Sequence, residues 1–264
     1  MALIDSVIIK SCLGLLSGRF DVDALDECDS TSSELMRRSE RGAPAGTVIV
    51  ADRQTAGRGR RGRSWLSESE SGLTFSLLWR FDGPLAQLSG LSLAVGVALA
   101  QALERLGAAG VCLKWPNDVL LREADDYAKL AGILIELSSD RRGAQAIIGI
   151  GLNLQPPSAD LPQAAAGLSQ ALIALPERHV VLAGILAALA EVLDVFAVNG
   201  FSAIKSEWQQ RHAWQGQSVR ILLEQAESAQ GGICLGVDDA GALLLETSAG
   251  IERIFSGDVS LRRA

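Results

Sequence analysis

The chain contains only two histidines, His179 and His212, far apart in sequence. Its four cysteines, Cys12, Cys28, Cys112 and Cys234, are scattered and form no CxxC pair. That scarcity argues against a histidine-based triad and against the usual zinc ligand sets. Unpaired, dispersed thiols fit reduced side chains in a cytoplasmic protein. No clean apolar run reaches the roughly 20 residues that a membrane span needs. Leu88–Leu106 is interrupted by Ser89, Ser92, Gln101, Glu104 and Arg105, and Val180–Val198 by Glu191 and Asp194. The first residues, MALIDSVIIK, carry an early acid and no apolar run followed by a cleavage site, so no signal peptide is expected. Repeats and low-complexity linkers are also missing. A general excess of cations is missing too: the net charge of −7 argues against broad nucleic-acid affinity.

What remains is a 264-residue chain that is 48% hydrophobic, enough for one large domain or a large domain plus a small one. Thr47–Ala51, Leu73–Phe81, Val111–Trp115, Leu130–Leu137 and Ala146–Leu154 read as strands, with a polar loop at Arg122–Tyr127. Ser89–Leu106, Val180–Val198 and Phe201–Arg211 read as helices, and Gln155–Pro162 as a proline-rich loop. Unequal connections with few helical crossovers predict an α+β fold with a mixed sheet. After Gly216 the periodicity changes to short strands, SVRILLE, GICLGV, ALLLE and IERIF, which predicts a small β-barrel. The expected division is a catalytic domain over 1–214 and a small domain over 215–264. Ala146–Leu154 could lie at a sheet edge and support a homodimer, or be covered.

Four segments carry chemistry. Gly57–Trp65 reads GRGRRGRSW, with four arginines in six residues. Arginine forks match phosphate oxygens, and the glycines let backbone N–H groups approach the same anion. The literal G-x-G-x-x-G is not followed by a helix, so it is no dinucleotide fingerprint, and the downstream motifs of a protein kinase are absent. Lys114-Trp115-Pro116-Asn117-Asp118 forms a rigid turn after a strand. It offers a cation for phosphate, an amide for a base edge, and a carboxylate for Mg²⁺ or a proton. Taken alone, it could equally be an ordinary turn. Lys129 heads an apolar strand with Gly132 just beyond, a place where a cation could stabilise developing charge. Asp29-Ser30-Thr31-Ser32-Ser33-Glu34 reads as a helix N-cap with a capping box, whose hydroxyls could also hold a small polar group.

In this order, DSTSSE, QTAGRGRRGRSW, KWPNDV, KLAGILIE and IGIGLN resemble the biotin protein ligase family from about Glu27 to Leu154. The C-terminal part, ending GDVSLR, resembles that family's SH3-like barrel. The resemblance implies a catalytic domain like that of class II aminoacyl-tRNA synthetases. It implies biotin and ATP as substrates with Mg²⁺, and the carrier domain of acetyl-CoA carboxylase or a related carboxylase as partner. Biotin would be activated as biotinyl-5′-AMP and transferred to a carrier lysine. The ureido ring would meet Ser30, Thr31, Ser32 and Gln54 with backbone near Gly57–Gly59, and the aliphatic tail would lie along Leu130–Ile135, including Gly132. Arg58, Arg60, Arg61 and Arg63 would form the ligand loop, with Arg58 and Arg61 as first choices for anion contact. Lys129 would meet the biotin carboxylate and α-phosphate, and Lys114 a phosphate. Trp65, Asn117 and Asn153 would flank adenine, and Asp118 would lie near the acceptor amine and metal.

The residues between Asp118 and Lys129 look longer than in the family's short form, and Ser32 stands where some relatives carry asparagine. Only about 24 residues precede the core, too few for a helix-turn-helix domain, so specific DNA binding is not expected. Two alternatives stay open at this stage: a lipoate or octanoate ligase on the same fold, and a biotin sensor without catalysis.

Overall fold

The computed structural model describes residues 4–66, 69–124, 126–141, 143–159, 161, 163–223, 230–255 and 259–263. The chain opens with α1 (Ser6–Leu13), β1 (Asp21–Cys28), α2 (Thr31–Glu40), β2 (Thr47–Gln54) and β3 (Gly72–Phe81). There follow α3 (Leu91–Arg105), β4 (Val111–Lys114), β5 (Asp118–Arg122), β6 (Tyr127–Asp140) and β7 (Gly143–Asn153). Next come α4 (Arg178–Asn199) and α5 (Lys205–Arg211). The last strands are β8 (Ser218–Leu223), β9 (Gln230–Val237), β10 (Leu243–Thr247), β11 (Gly250–Ile254) and β12 (Val259–Arg263).

Strands β1 to β7 form one seven-stranded sheet in the order β1-β2-β3-β7-β6-β5-β4. Only β1 and β2 run parallel; the other neighbours are antiparallel, giving the expected mixed sheet. Alternation decides which residues face which side. On β3, Leu73, Phe75 and Leu77 join the main core with α3 and α4, while Leu78 joins a small cluster under α2 with Leu35, Ile49 and Ile147. The α4 helix is long and apolar, but Leu182, Ile185, Leu186, Leu189 and Leu193 are buried among α1, α3 and the sheet. The second sheet, β11-β10-β9-β8-β12, is wholly antiparallel.

Ala146–Leu154 is not an edge: β7 is the middle strand, flanked by β3 and β6, so it supplies no edge for a dimer. Asp118–Arg122 is a strand that the sequence reading overlooked, because two strands and a turn are packed into residues 111–122. The capping box does not form. The Ser30 side chain makes no capping bond, and Glu34 pairs with Arg37 and Arg38. The predicted helix Phe201–Arg211 is a short 3-10 turn followed by α5. Gly257 and Asp258 of the GDVSLR segment, and Glu224 of SVRILLE, lie outside the described residues.

Candidate active site

The site lies on the sheet face that carries α2. One cross-strand row builds its floor: Lys114 pairs with Asp118, Asp118 with Gly132, Gly132 with Gly151, and Gly151 with Thr74. Directly opposed residues share a face, so the row sets two charges, two glycines and a hydroxyl in line. Along β7 the alternation Ile148-Gly149-Ile150-Gly151 sends the isoleucines into the core and leaves the site face bare. That alternation was the signal within a strand read only as apolar.

The polar end forms at the start of α2. The Thr31 N–H donates to Gln54 Oε1 at 2.7 Å, so a side chain from β2 caps the helix in place of Ser30. The hydroxyls of Thr31 and Ser32 lie 2.8 and 3.0 Å from Ser76 Oγ. Ser76 was not singled out from sequence, since nothing local marks it. A Cβ on Gly149 would stand 2.6 Å from Ser32 Oγ, so any larger residue there would push the Ser32 hydroxyl aside. Asp29 instead turns to Arg37, whose hydrogen bonds hold its carboxyl down at about 2.

The arginine loop is a tight excursion. Gly59 N–H donates to Arg63 O at 2.7 Å and Trp65 N–H to Gly57 O at 2.9 Å. Arg61 sits at φ 61°, in the left-handed region. Arg58 ion-pairs with Glu136 and donates to Ser33 Oγ at 3.2 Å. Arg60 donates to Asn117 Oδ1 at 3.1 Å, tying the loop to the Lys114–Asp118 turn. Arg58, Arg60 and Arg63 line the cavity; Arg61, a first choice from sequence, is not among its lining residues. Trp65 lies over the glycine pair: a Cβ on Gly132 would meet its indole at 3.2 Å, and one on Gly151 would overlap it.

The cationic end centres on Asp118. Lys129 Nζ lies 2.7 Å from its Oδ1, and Lys114 Nζ 3.4 Å from its Oδ2. A bulge makes this possible. The β5–β6 register slips between Val119 and Leu120, placing Lys129 opposite Leu120, from where its ammonium reaches Asp118. Burial pushes the Asp118 carboxyl up, but Lys129 and Lys114 outweigh it and hold it below its ordinary value. Burial draws Lys114 down to about 8; Asp118 opposes this, while Arg262 and Lys129 add to it. The indoles of Trp65 and Trp214 stand 5.6 and 5.2 Å from the ammoniums of Lys129 and Lys114.

The two asparagines are tied to backbone. Asn117 Nδ2 donates to Ile133 O at 2.9 Å, and Asn153 Nδ2 to Lys129 O and Ala166 O at 3.3 and 3.1 Å. Residues Ala164 and Ala166 bracket Lys129 with two backbone bonds of 2.8 and 2.9 Å, so Asn153 clasps the lysine's support. Leu261 and Arg262 of β12 reach the same cavity from the second sheet. The sequence reading missed both, because their approach depends on domain packing. The cavity, about 730 Å³, thus joins a hydroxyl-rich end to a cationic end.

Residues 27–153 match the biotin/lipoate A/B protein ligase family, and residues 216–262 the biotin protein ligase C-terminal domain. The bifunctional ligase/repressor BirA of Escherichia coli is 36% identical over 97% of this chain and 78% of its own length. The biotin–[acetyl-CoA-carboxylase] ligase of Mycobacterium tuberculosis is 32% identical over 94% of this chain and 91% of its own. The structure of Aquifex aeolicus biotin protein ligase in complex with biotin and ATP superposes with a TM-score of 0.77 at 35% identity, covering 92% of this chain and 99% of that one. A cavity with these motifs in this order, carried on this sheet, places the chain in the biotin protein ligase family, and it is a ligase.

Proposed function

We propose that the chain is an ATP-dependent biotin protein ligase acting on the carrier domain of a biotin-dependent carboxylase. The observation that carries this reading is the joining of two unlike ends by a glycine floor. Ser30, Thr31, Ser32 and Gln54 offer donors and acceptors suited to a ureido ring. Lys129, Lys114, Arg262 and the loop arginines suit phosphates. The same polar end disfavours lipoate, whose head group has no amide.

In the first half-reaction a biotin carboxylate oxygen attacks the α-phosphorus of ATP. The α–β bridging P–O bond breaks and pyrophosphate leaves. Lys129 and the cavity arginines stabilise charge on the phosphoryl oxygens. In the second, the neutral amine of a carrier lysine attacks the mixed-anhydride carbonyl; the C–N bond forms, the acyl C–O bond to phosphate breaks, AMP leaves, and the amine's surplus proton passes to solvent. Fixing both reactants in one cavity makes each attack local. Asp118, acidic and held by two ammoniums, serves to orient those lysines; its depressed carboxyl makes it a poor proton acceptor.

Magnesium is expected to travel with ATP. Among the described residues no group of three His, Cys, Asp or Glu could hold a metal, and both Asp118 oxygens face ammoniums. Asp118 therefore does not fit as a direct metal ligand. The SH3-like character of the 215–264 unit, kinship of the 1–214 unit with class II synthetases, and a cytoplasmic location belong to the same proposal. So does the expectation of no specific DNA binding, supported by Arg58, Arg60 and Arg63 lining the cavity. Biotin-dependent ATP–pyrophosphate exchange tests the reading, with lipoate as control. Exchange with lipoate alone, or none with either, would overturn it.

A further inference from the structure

Strands β2 and β3 part where the arginine loop begins. Their last paired residues are Ala51 and Thr74. Beyond that rung β2 continues only beside β1, through Glu27–Arg53 and Cys28–Gln54, and β3 only beside β7, through Gly72–Asn153. Residues 55–66, which carry all four loop arginines and Trp65, leave β2 at this opening, and residues 69–71 lead back into β3. Arg178 spans it. Its Nη1 donates to Asp52 Oδ1 at 3.1 Å on one side, and its Nη2 to Gly72 O at 2.7 Å on the other.

Arg178 is an unexpected residue for this place. It is the first residue of α4, where the helix dipole disfavours a cation, and that first turn contains no acid to balance it. Its side chain is only 14% exposed and Asp52's only 8%, so both charges are largely removed from water. Its Nε is buried without a hydrogen-bond partner. Pinning α4 to the sheet would need only an apolar residue of similar size. A planar fork is needed to hold two acceptors at once, one on each strand.

We propose that Arg178 is a positioning residue that staples the neck of the ligand loop, so that the arginines and Trp65 close over the adenylate from a fixed base. This rests on the ligase reading above. Holding the end of β2 and the start of β3 together lowers the entropy lost when the arginines and Trp65 between them take up one arrangement. The effect should show in how long the adenylate is retained.

The test compares wild type with Arg178→Gln, Arg178→Lys and Asp52→Asn. Biotinyl-AMP release is followed after gel filtration, trypsin cleavage between Arg58 and Arg63 is measured with and without biotin plus ATP, and Tm is recorded. Arg178→Gln and Asp52→Asn should release the adenylate about tenfold faster or more. Both should lose ligand protection of the loop, and Arg178→Lys should recover part of it. Wild-type release rates with only a lower Tm would overturn the staple and leave a structural brace. If Arg178→Gln does not fold, Asp52→Asn gives the same readings. If wild type forms no biotinyl-AMP, the ligase reading fails instead. Trypsin cleavage of the unliganded loop then decides the staple: faster cutting in the variants supports it, and equal cutting overturns it.

Discussion

Lys129 Nζ lies 2.7 Å from Oδ1 of Asp118, across a strand pair whose register is broken by a bulge. The contact fixes where the ammonium waits before substrate arrives. An incoming carboxylate and α-phosphate would compete with Asp118 for that charge. Lys129→Ala should therefore slow adenylation by about 10²–10³-fold, in the range for loss of one preorganised oxyanion partner. Pyrophosphate exchange measures the rate, and an unchanged far-UV CD spectrum excludes unfolding. Near-normal exchange would remove the assigned role.

Lys114 carries a pH prediction. Its ammonium is drawn down to about 8, so its charge disappears as pH rises through that value. If that charge holds phosphate, kcat/KM for adenylation should fall above about pH 8. Lys114→Arg should remove that limb, because a guanidinium stays protonated. Asp118→Asn takes away the influence that raises Lys114, so the limb should move to lower pH. A profile identical in all three proteins would contradict the assignment.

The glycine floor predicts a steric effect. A Cβ on Gly151 would overlap the Trp65 indole. Gly151→Ala should displace Trp65, change the tryptophan emission and weaken ATP binding, while leaving the Ile150 side of the strand packed as before. Isothermal titration with biotin alone and with ATP separates the two ends; a loss confined to biotin would count against this placement of Trp65.

How much of this was legible in sequence depends on the range of the interaction. Lys114–Asp118 and Gly57–Trp65 were legible because each is a compact motif around its own turn, and Thr31–Ser32 because a run of hydroxyls opens α2. Ser76 and Gly149 were not, since their role exists only when β3 and β7 lie side by side under α2. Arg262 was invisible because it enters from a different sheet. Asn117 and Asn153, expected beside adenine, both line the cavity, and each amide nitrogen also donates to backbone carbonyls, a tie the sequence does not show.

The four loop arginines are not equivalent. Arg58, Arg60 and Arg63 line the cavity, whereas Arg61 does not. Arg63→Ala should thus shorten adenylate retention more than Arg61→Ala. Release of labelled biotinyl-AMP measures it, and the reverse order would show that the loop refolds on binding.

His212 predicts acid sensitivity. Burial lowers it to about 4, with Gln215 opposing; Trp208 stacks on the ring at 4.5 Å and Nε2 has no partner. The unfolded chain binds this proton below about 6.5 and the folded one only near 4, so between those values the unfolded state holds more protons. The contribution is full above 6.5 and is lost as pH falls, by about 2 kcal/mol at pH 5. Urea unfolding at pH 7.5 and 5 should show a drop that His212→Gln lessens. An equal drop in both proteins would assign the acid sensitivity elsewhere.

The row from Lys114 to Thr74 has a consequence for biogenesis. It draws on five strands, β4, β5, β6, β7 and β3, and the outermost of them meet only through the last to be synthesised. In a nascent chain that stops before β7, β3 has no strand to join it to β6, β5 and β4. Slippage of β6 by a single residue would turn Gly132 toward the core and leave the row broken. A ligand held across this row would therefore stabilise the completed sheet and no shorter part of it.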